Sequence, residues 1–434
     1  MNSRKIALFS VSDMTDVDDF ARTLVRKGWH IIATSDVCAK LKSADIAVES
    51  VESFTGITEG YPFPATLHPK MESALTSEDF KDRIELVYDI PYSLAVGNDV
   101  GGRTLLALAA KGNRIPVFTR EDMQSVAESI KRTGDVAPDT KKSLIAKTYF
   151  HVCGHYLDLA KACETQHFDG MVGIEHKKLL NGENPYQVPS SLFASSYGED
   201  LLSMGSFKQL SGDAPCYTNL ADLDCILATL CRLAGSFKKN HGKCPHIAIA
   251  AKHGNPCGLA VDWDNADNAI EKALWGNPLA IWGGELITNF IINREQAALL
   301  LGSAARERTL GNKNWMLDVV ASPGFDQEAV NILGKRPQRK LLENRALKDP
   351  FLPKIPWVYR EVRGGFLRQP PFDYVLDMNG LDWVCCSIKQ DDIDSLLIAW
   401  AVAYTSNHGG NEVALAKDQR LIGIGGGPST VEAA

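Results

Sequence analysis

The chain has 434 residues and a formal net charge of −7, with 46 Lys and Arg residues against 53 Asp and Glu residues. About 45% of the residues are hydrophobic and 23% are charged, a balance typical of a globular protein with two or three domains. This mildly acidic composition without a Lys/Arg block argues against sequence-independent binding of nucleic acid, and no apolar run reaches the roughly 18–20 residues that span a bilayer.

The first third of the chain alternates short apolar runs with amphipathic stretches. Strands are predicted at residues 5–11, 29–34, 84–90 and 116–118. A helix is predicted over residues 104–111, opened by the segment DVGG (99–102), whose glycines and Asp99 suit a helix start with unpaired N–H groups. Buried strands that alternate with helices predict a parallel sheet covered on both faces.

A domain boundary is predicted near residues 136–150, where Pro138 and an Asp-Thr pair precede another helical pattern. We therefore divide the chain into a domain at 1–145 and a region at 146–434. Beyond about residue 165 the loops are longer, and strands are predicted at 246–251, 279–282, 315–321 and 412–416. No internal repeat or low-complexity linker is visible, and the predicted fold class is α/β in both parts.

The sharpest local signal is an apolar strand that runs into the segment KHGNPCG (252–258). Ligands of open α/β sheets bind at the carboxyl ends of strands, where such a turn lies. Lys252 can stabilise developing negative charge, and His253 supplies an imidazole, the side chain best suited to act as a base near neutral pH. A strand end with two exposed polar residues is the alternative that the segment leaves open.

Two other turns give weaker signals. The segment NGENPYQ (181–187) has the Asn, Gly and Pro of a defined turn that could aim Glu183 and Gln187 into a cleft, although an ordinary surface turn fits its composition better. The segment GIGGG (423–427) follows a predicted strand and could approach a phosphate with its backbone N–H groups. No ribose-binding carboxylate follows it at the usual distance, so a dinucleotide site is not expected.

His151 and His155 are spaced to share one face of a helix, as two metal ligands would. No Glu stands between them as in zinc proteases and no third ligand is near in sequence, so a packed pair and no metal site are predicted. The N-terminus lacks the long apolar stretch of a signal peptide, and the ten cysteines form no regular framework. We therefore expect reduced thiols in a cytoplasmic protein.

Eight segments occur in a familiar order: ALFSVSD, TGITEG with ATLHPK, DVGGRTLLALAAKGNR, NGENPYQ, KHGNPCG, WGGELITNF, VRGGFLRQ and AKDQRLIGIGGG. Together they cover nearly the whole chain, which resembles the bifunctional purine enzymes AICAR transformylase/IMP cyclohydrolase. The resemblance implies that 1–145 is a methylglyoxal-synthase-like domain that closes the purine ring. It implies that 146–434 holds two cytidine-deaminase-like subdomains without zinc, which transfer a formyl group from 10-formyltetrahydrofolate to an amine. It also implies a homodimer with composite transformylase sites.

The ring-closing domain departs from the family pattern. Residues that match or adjoin its catalytic positions are Thr66, Tyr92, Asp99 and Lys111. However, Ala65 and Met14 stand where the family has lysines, and Ser-Asp-Val at 35–37 replaces the Gly-Gly-Thr of its phosphate loop. A carboxylate repels a phosphate in a partly desolvated pocket, so we expect impaired cyclohydrolase activity.

The transformylase region keeps more of the pattern. Lys252, His253 and Asn411 match the catalytic residues, which implies that His253 takes the proton of the amine, Lys252 stabilises the oxyanion and Asn411 aligns the reactants. The positions that match substrate-binding segments are Asn184, Gln187, Asn219, Asp222, Gly283, Gly284, Gly364 and Gly365.

Substrate recognition is predicted to differ from that of the family. Leu180 stands where the family has the Arg that grips the ribotide phosphate, and Leu cannot replace a bidentate Arg. The residues after the last glycine run lose a Gln and an Arg, and the chain ends at Ala434, several dozen residues before the family's end, so a shortened second subdomain is expected.

The leading hypothesis is a 10-formyltetrahydrofolate-dependent formyltransferase that acts on AICAR or on a diverged, less anionic amine of a specialised pathway. A catalytically silent homologue that serves as a binding or scaffold subunit is one alternative. Residual ring closure of the cyclohydrolase type is another. A small-molecule amine, folate and a second copy of the chain are the expected partners, with no nucleic acid, membrane or metal.

Overall fold

The computed structural model describes residues 5–58, 65–92, 100–163, 167–195, 200–382, 388–405 and 412–426, with only the backbone at 390 and 391. Its contacts divide the chain into two compact units, Met1–Met171 and Val172–Ala434. The helical pattern after Pro138, most of which the sequence placed in the second region, therefore belongs to the first unit. The ring-closing and transformylase functions given to the two parts stay predictions.

The first unit alternates strands and helices as the apolar runs predict. Its strands are β1 (Ile6–Val11), β2 (His30–Ala33), β3 (Glu49–Ser50), β4 (Ile84–Ile90) and β5 (Ile115–Val117). Its helices are α1 (Val17–Arg26), α2 (Ser35–Ser43), α3 (Val51–Thr55), α4 (Pro69–Thr76), α5 (Val100–Lys111), α6 (Arg120–Thr133) and α7 (Pro138–Cys163). The strands form one sheet in the order β3-β2-β1-β4-β5, and every neighbouring pair is parallel, which confirms the predicted sheet.

Both faces of this sheet are buried, which explains why its strands are continuous apolar runs. Along β1, Ala7 and Phe9 pack into a core with residues of α1, α2 and α6. Ile6 and Leu8 point to the other face and pack with residues of α3, α4 and α5. Strands covered on both sides need apolar residues at every position, because successive side chains point to opposite faces.

The second unit contains strands and helices of mixed order. Its strands are β6 (Gly173–Lys178), β7 (Ser191–Ser195), β8 (Lys208–Ser211), β9 (His246–Lys252), β10 (Asn255–Asp262), β11 (Gly284–Thr288), β12 (Leu317–Ser322), β13 (Lys340–Glu343), β14 (Val358–Val362), β15 (Gly365–Gln369), β16 (Val413–Lys417) and β17 (Arg420–Gly425). Its helices are α8 (Tyr217–His241), α9 (Ala266–Leu274), α10 (Arg294–Leu301), α11 (Ala304–Leu310), α12 (Gln327–Leu333) and α13 (Gln390–Thr405).

Eight of these strands form one mixed sheet in the order β16-β17-β10-β9-β11-β12-β13-β8. In its central strand β9, Ile247 and Ile249 pack against α8 and α13, whereas Ala248 and Ala250 pack against the layer of α9, α10 and α12. The mixed sheet with helices on both faces confirms the α/β class. The division into two cytidine-deaminase-like subdomains stays a prediction.

The structure corrects three sequence expectations in the second unit. Residues 279–282, predicted as a strand, lie in the turn before β11. Asn255 to Gly258, read as a turn, instead begin strand β10. Gly423 and Gly425 lie inside β17 rather than after a strand. In the part of the chain that the structure describes, no helix is both long and apolar enough to cross a membrane.

Candidate active site

The segment KHGNPCG forms a tight antiparallel hairpin at one end of the mixed sheet. Lys252 at the end of β9 pairs with Asn255 at the start of β10, which leaves a two-residue turn of His253 and Gly254. Both turn residues have positive φ, 53° and 71°, the combination that a type I′ turn requires. Histidine enters this left-handed region more readily than most residues, and glycine enters it freely. The turn leaves His253 exposed and Lys252 half-buried.

The glycine pair of WGGELITNF makes room for the Lys252 side chain. Nζ of Lys252 donates a hydrogen bond of 2.5 Å to the carbonyl oxygen of Gly283. A Cβ at Gly283 would lie 3.2 Å from that Nζ, and a Cβ at Gly284 would lie 2.2 Å from the carbonyl oxygen of Ala251. Gly283 and Gly284, which the sequence matched to a substrate-binding segment, thus lie next to Lys252.

The first turns of α8 bring two further predicted residues to the hairpin. Asn219 and Asp222 are 6% and 7% exposed. A Cβ at Gly254 would come 3.7 Å from Oδ1 of Asp222, so the His253 turn packs directly on α8. The structure therefore gathers Lys252, His253, Asn219 and Asp222 into one cluster.

One member of this cluster was missed by the sequence analysis. Glu285, the second residue of β11, is 2% exposed, and its Oε1 accepts a hydrogen bond of 3.4 Å from Nδ2 of Asn219. Its carboxyl group and that of Asp222 affect each other's pKa, which places the two groups close together. The signal that could have found it is a lone carboxylate in an otherwise apolar strand, because charged side chains are rarely buried without a partner.

Burial and neighbouring charge shift the two carboxyl groups of the cluster. Burial, followed by the charge of Asp222, raises the pKa of Glu285 to about 8. Burial also raises the pKa of Asp222, against the opposing effects of His253, Glu285 and Lys252. Displaced pKa values in a cluster of this kind are typical of functional sites.

The loop 180–187 lies beside the start of α8. The backbone N–H of Leu180 donates to the carbonyl of Pro215, and that of Tyr217 donates to the carbonyl of Asn181. Leu180 is 56% exposed, so an apolar side chain faces solvent where an Arg was expected from the family.

Within this loop, the two predicted binding residues contact each other. Both the backbone N–H and Nδ2 of Asn184 donate to Oε1 of Gln187, at 2.6 and 3.1 Å. These hydrogen bonds hold the turn closed, and both side chains are exposed. They remain candidates for binding, although part of their hydrogen-bonding capacity serves the turn itself.

Other predicted residues of the second unit lie apart from the cluster or outside the described residues. Gly364 lies in the turn between β14 and β15, and Gly365 begins β15. These two strands form an exposed sheet separate from the one that carries Lys252. Gly364 has φ of 84°, which explains the need for glycine there. Asn411 lies outside the described residues.

In the first unit, the predicted ring-closing residues are spread along α5 and the preceding loops. Thr66 is buried, and Tyr92 is half-exposed with its carbonyl accepting a hydrogen bond from Arg103. Lys111 ends α5, about 16 Å of helix from Val100. Asp99 lies outside the described residues.

The family's phosphate loop is replaced by the first turn of α2. Asp36 is exposed in that turn, and Ser35 donates a hydrogen bond of 2.9 Å to the carboxylate of Glu52. The Val37 side chain is completely buried in the core. Two carboxylates at this helix start oppose the binding of an anion that its free N–H groups would otherwise attract.

The histidine pair of α7 takes part in packing contacts. His151 stacks on Phe118 with ring centroids 4.5 Å apart, and burial lowers the pKa of this imidazole. His155 is buried beside Tyr156. Among the described residues, no three His, Cys, Asp or Glu side chains are grouped to hold a metal ion.

Comparison with known proteins gives consistent relatives. A family model described as "AICARFT/IMPCHase bienzyme" matches residues 109–434. "Bifunctional purine biosynthesis protein PurH" of Fusobacterium nucleatum is 26% identical over 457 residues, which cover 98% of this chain and 84% of that protein. Its namesake of Acetivibrio thermocellus is 28% identical over 462 residues, with the same coverage. A solved structure titled "Crystal structure of ForH" is similar with a TM-score of 0.33 and 21% identity, covering 37% of this chain and 98% of that one.

Proposed function

The chain belongs to the AICARFT/IMPCHase bienzyme family as a divergent member, and on that premise we propose that its second unit transfers a formyl group from 10-formyltetrahydrofolate to an amine. The observation that carries this proposal is the hairpin turn with exposed His253 beside half-buried Lys252, packed on Asp222 of α8. A base and a cation presented together at a solvent-accessible turn meet the needs of acyl-type transfer to nitrogen.

His253, Lys252 and Asn411 have separate roles in the proposed formyl transfer. The amine nitrogen forms a bond to the formyl carbon, and His253 accepts the proton that this nitrogen loses. Lys252 stabilises the negative charge that develops on the formyl oxygen. The bond from the formyl carbon to the folate nitrogen then breaks, and His253 returns its proton to that leaving nitrogen. Asn411 is proposed to align the amine.

We propose that the acceptor is an amine less anionic than AICAR, as in a specialised pathway. The exposed Leu180 supports this proposal, because Leu offers no hydrogen bond to a phosphate. We further propose a cytoplasmic homodimer. The family's composite sites support the dimer, and the eight free cysteines among the described residues support a reducing compartment.

The proposal is tested by measuring the binding of 10-formyltetrahydrofolate and of AICAR separately, by calorimetry on the full chain. Folate binding without AICAR binding supports formyl transfer to a different acceptor, which a panel of amines can then identify. Binding of both ligands supports the purine acceptor. Binding of neither contradicts the enzyme and supports the silent-subunit alternative.

The substitution Leu180→Arg is expected to increase the affinity for AICAR. A charge-assisted hydrogen bond contributes about 1.5–3 kcal/mol, so the dissociation constant should fall roughly tenfold or more. Calorimetric titration of the variant with AICAR measures the change. Leu201→Arg is the matched control. Leu201 is 62% exposed in the same unit, so this substitution adds the same charge at another exposed position. Equal effects of the two substitutions would contradict a phosphate contact at 180.

We also propose that the first unit closes the purine ring poorly, because Asp36 and Glu52 oppose a phosphate at α2. Ala65→Lys combined with Ser35→Gly, Asp36→Gly and Val37→Thr is expected to raise the affinity for inorganic phosphate about tenfold, or about 1.4 kcal/mol. Titration with phosphate, monitored by NMR of the ligand, measures this gain. The loop variant with Ala65 left in place is the control and should gain less. No gain in either would mean that the loop is not the cause.

A further inference from the structure

The Asp222–Glu285 carboxyl pair is an unusual feature of the proposed site. Asp222 on α8 and Glu285 on β11 are both buried, and their carboxyl groups lie close enough that each shifts the pKa of the other. Oε1 of Glu285 has Asn219 as its donor. Oε2 of Glu285 is fully enclosed and receives no hydrogen bond from any donor in the described part of the chain.

Two enclosed carboxyl groups in contact cannot both be ionised at low cost, because like charges repel strongly where water is excluded. A single shared proton removes this repulsion. It also resolves the unsatisfied Oε2 of Glu285, since a protonated carboxyl oxygen becomes a donor to the neighbouring carboxylate. The geometry thus favours a neutral Glu285 that donates to an ionised Asp222.

The pair is connected to the hairpin that presents the base. The turn packs against α8 at Cys225 and Asp222, and His253 lowers the pKa of the Asp222 carboxyl group. The Asp222 carboxylate is therefore one of the groups on which the His253 turn rests. If Glu285 lost its proton, repulsion between the two carboxylates would push Asp222 away from β11 and move the turn.

We propose that Glu285 is a positioning residue, which through Asp222 holds the His253 turn in place. This inference rests on the proposed formyl transfer and goes beyond it, since neither the sequence comparison nor the family resemblance assigned a role to Glu285. The proton shared by Asp222 and Glu285 takes no part in the reaction, and His253 accepts the proton that the amine loses.

The surroundings of the pair contain charges of both signs. Ionisable groups that face it are Lys252 on β9, His253 in the turn, Cys257 on β10, Cys225 on α8, and Asp318 on β12, which pairs with Arg336. Lys252 favours the ionised forms of both carboxyls, whereas Asp318 favours a proton on Glu285. Burial outweighs the effect of Lys252 at Glu285 and raises its pKa to about 8, so the proton is lost only in mildly alkaline solution.

The test is the pH profile of formyl transfer in Glu285→Gln. The amide keeps the shape and the donor of a protonated carboxyl but cannot ionise. In the parent protein kcat should fall as pH rises through about 8 and be roughly tenfold lower at pH 9 than at pH 7. Glu285→Gln should keep kcat at pH 7 within about threefold and lose this alkaline decline. Glu343→Gln, at the end of β13, is the matched control and should retain the decline.

A second measurement needs no substrate. Infrared difference spectra should show the carbonyl band of a protonated carboxyl at pH 7, which disappears above about pH 8 in the parent chain and is absent in Glu285→Gln. An unchanged alkaline decline in Glu285→Gln, or no such band, overturns the positioning role. Detection of the band without any formyl transfer would instead overturn the proposed reaction, so the two failures are distinguishable.

Discussion

Replacing His253 by Ala is expected to lower kcat/KM of formyl transfer by about 10²–10⁴-fold, with little change in the affinity for 10-formyltetrahydrofolate. The amine is a weak nucleophile until its proton is removed as the bond to carbon forms, and His253 is the exposed imidazole beside Lys252. The loss should therefore appear in the chemical step. Single-turnover formation of the formylated amine, measured alongside calorimetric folate binding, separates the two effects.

Two controls distinguish loss of the base from distortion of the turn. His253 has φ of 53°, a conformation that Ala adopts at a cost of about 1–2 kcal/mol but that Asn tolerates. His253→Asn should therefore be as inactive as His253→Ala while keeping the turn. His176→Ala, at an exposed histidine that binds only the carbonyl of Gly205 among the described residues, should be fully active. Activity in His253→Asn would refute the base assignment.

The elements that the sequence predicted well are those whose residues form a local hydrophobic pattern. The strand predicted at 84–90 has the bounds of β4, and the strand predicted at 246–251 gains one residue in β9. Both are central strands buried on two faces, where an unbroken apolar run leaves few alternatives. Ligands of α/β sheets bind at the carboxyl ends of such strands, and this is why the sequence alone could place Lys252 and His253 at the candidate site.

The parts that sequence did not reveal depend on contacts between distant segments. Glu285 and Asp222 meet only because β11 lies beside β9 and α8 packs across both, an arrangement that no local pattern encodes. The apolar residues at 279–282 suggested a strand, yet they form a turn that leads into β11. Strand β10 was missed because Pro256 and the glycines on either side of it suggested a turn. Gly254 does lie in the turn, whereas a bulge accommodates Pro256 and Gly258 within the strand.

Gly258 is the clearest case of a motif residue whose role is packing. A Cβ at Gly258 would lie 1.8 Å from the carbonyl oxygen of Ala273, and a Cβ at Gly276 would lie 2.5 Å from the Cα of Gly258. Strand β10 and the end of α9 therefore approach each other backbone to backbone. Neither partner is a flexible side chain that could move aside, so any larger residue must separate the strand from the helix.

Gly258→Ala is accordingly expected to destabilise the second unit by about 3–5 kcal/mol, the upper range for a single substitution. Urea unfolding followed by tryptophan fluorescence measures the change, since Trp315 lies in the core on this face of the sheet and Trp275 packs against that core. Gly380→Ala is the matched control, because a Cβ there meets no atom within 4 Å, and it should leave the unfolding midpoint nearly unchanged.

Gly258 and Gly276 lie on the two sides of the same contact between β10 and the end of α9. Gly276→Ala should destabilise through the same strand–helix contact, so the double variant should lose less stability than the two single losses added together. The separation of β10 from α9 would also move Asn255, which pairs with Lys252 beside the His253 turn, and formyl transfer should weaken in step with stability. Additive losses, or full activity in Gly258→Ala, would mean that the strand and helix adjust independently and that the hairpin is not held by this contact.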